Sequence, residues 1–270
     1  MKNALVTGGT GILGTQMVPR LLAKGYEVRL LTRRTGFAPP AGARVVIGDL
    51  DTGAGLDAAT AGADVIVHCA SATGKLAYGS VKRTDVGGTT RLLDAAKRGG
   101  SPYVVYISIV GIDIVPIGYY RAKREAEDAI EGSGLPFSIL RTTQWHTFVP
   151  KAAEPMMMLP IIGLPKGFRM QLLDVGEVAD RMMALVEAGP SGRAPDMGGP
   201  EAIPAVDAFR DWLRVIGKRR IIMSLPIPGK VGRSLRDGGN LTPNRIGKIT
   251  WAEWLTATGG RMSGPPYVQA

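Results

Sequence analysis

Asn3-Ala4-Leu5-Val6-Thr7-Gly8-Gly9-Thr10-Gly11-Ile12-Leu13-Gly14 stands almost at the start of the sequence. Residues 3–7 form a short apolar run that stops at Gly8-Gly9, which reads as a buried strand ended by a turn. From Ile12 to Lys24, Leu13, Met17, Leu21 and Leu22 recur at helical spacing, and Gly25 marks the stop. Pro19 lies inside that pattern, so a kink or the loss of one backbone hydrogen bond is expected there. The glycines between strand and helix have separate tasks. Gly8 permits the tight turn, Gly11 lets backbone approach a pyrophosphate, and Gly14 lets the helix pack closely on the strand. Thr10, Ile12 and Leu13 complete this turn, where the helix N-terminus offers unpaired N–H groups and a partial positive charge to phosphates.

Outward from this turn, strand and helix alternate. Strands are expected at Tyr26 to Leu31, Arg44 to Ile47, Asp64 to His68, Tyr103 to Ile107 and Phe137 to Leu140. Helices are expected near Gly55 to Ala61, Asp85 to Arg98 and Lys123 to Gly132. The strands are continuous apolar runs, which indicates a parallel sheet covered by helices on both faces. With right-handed crossovers, the fold class is α/β: a doubly wound, Rossmann-type parallel sheet.

After residue 145 the texture changes. Residues 151–168 are rich in Pro, Met and Gly without a period. A helix from Val175 to Ala188, a short strand within Asp196 to Ile203 and an amphipathic helix from Val206 to Gly217 follow. The division expected is a dinucleotide-binding domain at 1–150 and a small substrate-binding cap at 151–270. Residues 171–203 are expected to return to the main sheet.

The 270 residues are 45% hydrophobic and 21% charged, which excludes disorder. The single Cys69 excludes a disulfide scaffold. No apolar run approaches the roughly 20 residues of a membrane span. The first residues leave no room for a signal peptide, so a cytoplasmic location and no membrane partner are expected. The net charge of +10 is carried by scattered basic groups without zinc-ligand or RNA-recognition signatures, and no nucleic-acid partner is expected. His68 and His146 have no partner spacing for a metal, and none is expected. Cap and oligomer contacts remain open: Met156 to Met158 suit a pocket wall, ordinary core or a subunit contact alike.

The end of the second strand bears on cofactor choice. A domain preferring NAD usually carries an acidic residue there for the ribose hydroxyls. Here Leu30-Leu31-Thr32-Arg33-Arg34 has no carboxylate, and Arg33 and Arg34 suit a 2′-phosphate, which favours NADP(H) over NAD(H). Gly48-Asp49-Leu50 ends the third strand and places Asp49 and Leu50 at the adenine, whose exocyclic amine the carboxylate can accept from.

A second motif lies after the fifth strand. Ser108 is followed eleven residues on by Tyr119-Tyr120-Arg121-Ala122-Lys123, a Tyr-x-x-x-Lys at a helix start. Residues four apart share a helix face, so the Lys123 ammonium is expected to favour the Tyr119 phenolate and lower its pKa. Ser108 is suited to hold a substrate oxygen. Tyr120 is a rival for the same acid role.

Together Thr7-Gly8-x-x-Gly11-x-x-Gly14, Gly48-Asp49-Leu50, Thr84-Asp85-Val86-x-Gly88-Thr89, Ser108 and Tyr119-x-x-x-Lys123 resemble the extended or atypical branch of the short-chain dehydrogenases/reductases, which includes the NmrA-like proteins. The resemblance covers about the first 150 residues. It implies that Tyr119 is the acid/base, that Lys123 also holds the nicotinamide ribose and that Ser108 positions the carbonyl. It further implies that Cys69, Ala70 and Ser71 line the cofactor. Asp85 stands where the family usually has Asn.

Arg141 to His146 falls at the carboxyl edge of the sheet, where open α/β sheets bind ligands. Thr142 and Gln144 are expected near the nicotinamide, and Trp145, His146 and Met157 near an apolar small-molecule substrate. His68 reads as a satisfied strand-end histidine. The activity expected is NADPH-dependent reduction of a small carbonyl, quinone or other unsaturated acceptor. The alternative is a dinucleotide-binding sensor without turnover, and a nucleotide-sugar epimerase ranks below both because the cap is small.

Overall fold

The computed structural model describes residues 2–72 and 78–262. Strands β1 (Asn3–Thr7), β2 (Glu27–Thr32), β3 (Ala43–Ile47), β4 (Val65–His68), β5 (Tyr103–Ile109), β6 (Phe137–Thr142) and the short β9 (Gly192–Arg193) form one sheet, in the order β3-β2-β1-β4-β5-β6-β9. Every pairing in it is parallel. The strand order reverses between β1 and β4, which opens a crevice outside their carboxyl ends.

Alternate residues of each strand feed two cores. Ala4, Val6, Val65, Val67, Val105 and Leu140 point toward α1 (Ile12–Ala23) and α7 (Val175–Ala188). Leu5, Ile66, Val104, Tyr106 and Ile139 point to the opposite layer, α2 (Leu56–Thr60), α4 (Thr89–Arg98) and α5 (Gly118–Glu131). Burial on both faces explains why the strands read as unbroken apolar runs. α1 continues through Pro19, which sits exposed on the solvent side and has no N–H to give to the helix ladder.

Several elements depart from the expected bounds: α5 begins at Gly118 where a helix start near Lys123 is expected, and β6 runs past Leu140 to Thr142. A short α3 (Tyr78–Val81) runs into a π-helical stretch at Lys82–Gly88 and only then into α4. β5 continues two residues beyond Ile107, so Ser108 lies within the strand.

The cap has its own core. α6 (Phe148–Ala153), a 3₁₀ turn at Glu154–Met158, β7 (Ile161–Pro165), β8 (Arg169–Met170), α8 (Ala205–Val215) and α10 (Trp251–Thr258) bury Val149, Ile162, Leu172, Phe209, Trp212 and Trp254 together. β8 pairs antiparallel with β10 (Ile203–Pro204), and β7 pairs in parallel with β11 (Ile221–Leu225), which precedes α9 (Gly229–Arg236). Gln171 ties this unit inward: buried, it donates to the carbonyls of Gly199 and Thr242 and accepts from the Thr242 N–H.

Candidate active site

The turn after β1 is built for close approach. Gly8 has φ +67°, and the Gly11 N–H donates to its carbonyl at 2.9 Å. A Cβ on Gly8 would lie 2.7 Å from the Ala70 nitrogen, and one on Gly14 would lie 2.2 Å from the Gly8 oxygen. A Cβ on Gly11 would meet only that oxygen, at 3.2 Å, so the outer side of the turn is open. α1 begins at Ile12 with no side-chain cap and no acidic residue in its first turn. Among the described residues no side chain caps this turn, an arrangement that suits an anion. Thr10 is half-buried beside it, while the Leu13 side chain belongs to the core.

The ends of β1 and β4 are fixed by a chain of hydrogen bonds. The Thr89 hydroxyl donates to the Asp85 carbonyl at 2.6 Å, so it accepts from His68 Nε2 at 2.9 Å. Nδ1 of His68 then accepts from the Thr7 hydroxyl at 2.6 Å, and the Ala70 N–H donates to the Thr7 oxygen. Burial first, and the Lys123 charge second, lower the His68 pKa to about 3. His68 is a neutral structural link, as expected from the sequence. Cys69 is chemically quiet, since burial pushes its thiol up to about 12.

Asp85 is the hub of the site. The π-helical widening carries its buried carboxylate to the loop after β4, where it accepts from Ser71 Oγ at 2.6 Å and the Ala72 N–H at 2.9 Å. Because the Ser71 proton is used on Asp85, the Tyr119 hydroxyl is the donor in its 3.0 Å contact with Ser71 Oγ. This joins the first turn of α5 to the end of β4.

Lys123 does not behave as the helical spacing suggests. The residue is 2% exposed, and its ammonium donates to the Ile107 carbonyl at 2.8 Å and lies 4.0 Å from the centroid of the Tyr106 ring. Burial lowers its pKa to about 8, with Asp85 and Glu127 opposing. Tyr119 is pushed up, not down, and burial is the main cause. The expected lowering of the phenol by Lys123 is therefore replaced by a protonated phenol.

Ser108 is 2% exposed, and its Oγ has no partner among the described residues. Tyr120 turns the other way. Its hydroxyl is hydrogen-bonded to Gln144, whose side-chain oxygen also meets Asn240 Nδ2 at 3.4 Å. Tyr119 thus belongs to the β4 loop and Tyr120 to the junction with the cap.

The remaining predicted residues divide. Arg33 and Arg34 are exposed beyond β2, and neither guanidinium has a partner among the described residues. Asp49 is half-buried and accepts from the Asp51 N–H at 2.9 Å, and Leu50 is buried in the α2/α4 core. Thr142 ends β6 and accepts from Trp145 Nε1 at 3.1 Å. His146 does not sit at the crevice with them. It is 1% exposed in the cap, 5.5 Å from the Trp254 ring and 5.7 Å from Trp251. Met157 packs on the same cap core. No group of His, Cys, Asp or Glu suited to a metal occurs among the described residues.

Asp85 stands out in the sequence only as a departure from the family pattern, and nothing there marks Glu127. Glu127 is fully buried and receives Arg141 Nη2 at 2.5 Å. A fully buried Glu in an amphipathic helix, ten residues before β6, is the signal that pairing was needed.

The open glycine cradle, the uncapped helix and the orphaned Ser108 hydroxyl fit a nicotinamide dinucleotide lying across the β1/β4 crevice. Comparison with known proteins agrees. Residues 8–154 match the family described as NAD(P)H-binding. A ceramide reductase of Caulobacter vibrioides is 26% identical over 243 residues, 83% of this chain and 74% of that protein. The photosystem II assembly factor Ycf39 of Cyanophora paradoxa is 32% identical over 232 residues, 83% of this chain and 71% of that protein. The Bordetella bronchiseptica enzyme WbmH in complex with NAD+ shares the fold, with a TM-score of 0.68 at 16% identity over 100% of this chain and 95% of that one. A dinucleotide cradle on the 3-2-1-4-5-6 strand order, with a Tyr-x-x-x-Lys helix after the fifth strand, places this chain in the NAD(P)H-binding family, among the atypical short-chain dehydrogenases/reductases.

Proposed function

We propose that this protein is an NADPH-dependent reductase of a small carbonyl, quinone or other unsaturated acceptor, with Tyr119 as the proton donor. The observation that carries the reading is the Tyr119–Ser71–Asp85 chain, which fixes a protonated phenol at the carboxyl edge of the sheet. A reduced nicotinamide, when bound, supplies hydride. The protein's own part is to hold the phosphates on the Gly8–Gly14 turn, to keep a proton on Tyr119 Oη and to present the Ser108 hydroxyl to a substrate oxygen. Burial raises the Tyr119 pKa and so weakens it as an acid, and donation rests on the far stronger basicity of the alkoxide that hydride transfer creates. Lys123, turned toward Ile107, orients the strand-five end and retains donors for a ribose hydroxyl. Exposed, unpaired Arg33 and Arg34 support a 2′-phosphate and hence NADPH.

A second reading, a dinucleotide-dependent regulator without turnover, has one observation in its favour. The Tyr119 proton and the Lys123 ammonium are both already engaged by protein groups. The relative named as an assembly factor is consistent with it.

The test measures NADPH binding by calorimetry and NADPH oxidation across a panel of quinones and carbonyl compounds. Turnover that falls about 10²–10⁴-fold in Tyr119→Phe, with binding retained, supports the reductase. Binding without oxidation of any acceptor overturns it in favour of the regulator.

A further inference from the structure

The net charge of +10 is unevenly placed. Residues 155–173 and 212–236 hold two and seven basic residues respectively, and not one Asp or Glu. Both stretches meet in the small cap sheet, where Ile161 lies beside Ile221, Gly163 beside Met223 and Pro165 beside Leu225. One face of this sheet closes the cap core through Ile162, Leu164 and Ile222. The other face carries Ile161, Ile221, Met223 and Leu225, all exposed, and Met158 and Leu159 precede it at 92% and 59% exposure.

A sheet with one solvated face ordinarily alternates apolar-in and polar-out. Here the outward face is apolar as well, and contiguous apolar exposure marks an interaction surface. Cations close both ends. Lys218 and Arg219 are exposed just before β11, and at the far end the backbone N–H of exposed Lys166 donates to the Leu225 carbonyl at 2.8 Å. Lys230 follows at the start of α9. None of these four side chains meets a carboxylate among the described residues.

We propose that this cation-rimmed apolar face docks on an anionic lipid surface and holds the protein peripherally at a bilayer. Exposed Ile, Leu and Met side chains enter the boundary between headgroups and acyl chains, while Lys and Arg meet the negative surface potential. A second copy is a poorer occupant, because a twofold interface would bring the same cationic rim against itself. A nucleic acid would pair with the cations and leave the apolar centre without a counterpart. No described helix is long and apolar enough to cross a membrane. The sequence expectation of no membrane partner rested on the lack of a spanning run, which surface docking does not require.

The experiment is cosedimentation of the full chain with vesicles of equal parts phosphatidylcholine and phosphatidylglycerol, and with phosphatidylcholine vesicles alone. Binding to the mixed vesicles only, weakening as salt is added, is expected. Lys218→Ala with Arg219→Ala and Lys230→Ala should weaken it on the order of 100-fold. Ile221→Ser with Met223→Ser should also release the protein, with thermal unfolding unchanged because both side chains are exposed. No binding to anionic vesicles overturns the proposal, and so does equal binding by the cation-deleted variant. A dimer in analytical ultracentrifugation that Ile221→Ser with Met223→Ser dissolves, without vesicle binding, assigns the face to a second copy instead.

Discussion

Ser71 and Asp85, fourteen residues apart, are joined by a 2.6 Å hydrogen bond that spends the serine proton and leaves its oxygen as the acceptor for Tyr119. The direction of the whole chain, Tyr119 to Ser71 to Asp85, follows from that one bond. Asp85→Ala removes the buried acceptor for both Ser71 and the half-buried Ala72 N–H. Leaving a buried donor unsatisfied costs about 1–3 kcal/mol. Urea denaturation should show a loss of that size, and Asp85→Asn, which retains one acceptor oxygen, should lose less.

Acid should destabilise the protein through His68. Its pKa is about 3 when folded, against about 6.5 in the unfolded chain. Below pH 6.5 the unfolded state takes up a proton that the folded state refuses, so stability falls as pH drops from 6.5 toward 3. The slope is about 1.4 kcal/mol per pH unit for this group alone. Denaturation midpoints across that range, for wild type and His68→Gln, measure it as the difference between their slopes.

Lys123 works in the opposite pH range. Its folded pKa of about 8 lies below the ordinary value near 10.4. Between these two values the unfolded chain binds the extra proton, so the contribution of Lys123 to stability rises with pH over that interval. Lys123→Met should abolish this rise. Stability curves of the two proteins that stay parallel from pH 8 to 10 would count against a buried, desolvated ammonium.

Glu127 anchors β6 to α5 by receiving Arg141, and its side chain is fully buried. Glu127→Ala strands the Arg141 guanidinium, and breaking a buried pair on one side costs about 3–5 kcal/mol. Urea denaturation should show a loss of unfolding free energy of that order, because the Asp113 partner that remains to Arg141 is half exposed.

Arg33→Ala with Arg34→Ala should weaken NADPH binding and leave NADH binding nearly unchanged, since only the former carries the 2′-phosphate. A charge-assisted hydrogen bond is worth roughly 1.5–3 kcal/mol, or about 10–100-fold in affinity. Calorimetry with both nucleotides decides it.

The doubly wound sheet was legible because its cause is local. The central strands are buried on both faces, so apolar runs such as Val65-Ile66-Val67 stand out from the helices between them, and the Gly8–Gly14 turn is contiguous in sequence. The pairs β7–β11 and β8–β10 were not legible. Their partners lie some thirty to sixty residues apart, and β8 and β10 have only two residues each, too few to show a period.

What the sequence determined alone was the glycine-rich strand–turn–helix of an NAD(P)H-binding domain and the presence of Ser108, Tyr119 and Lys123 near the end of strand five. The hydrophobic pattern and the glycines specify these without reference to distant residues. Only the tertiary structure decided what each side chain touches. Lys123 turns inward because a carbonyl and a ring from β5 await it there, and Tyr119 reaches Ser71 because a π-helical widening delivers Asp85 to the same loop. Helical spacing puts Tyr119 and Lys123 on one face, but the direction of an ammonium on a long flexible stem is set by the nearest group that can repay its desolvation, and that group is on strand β5.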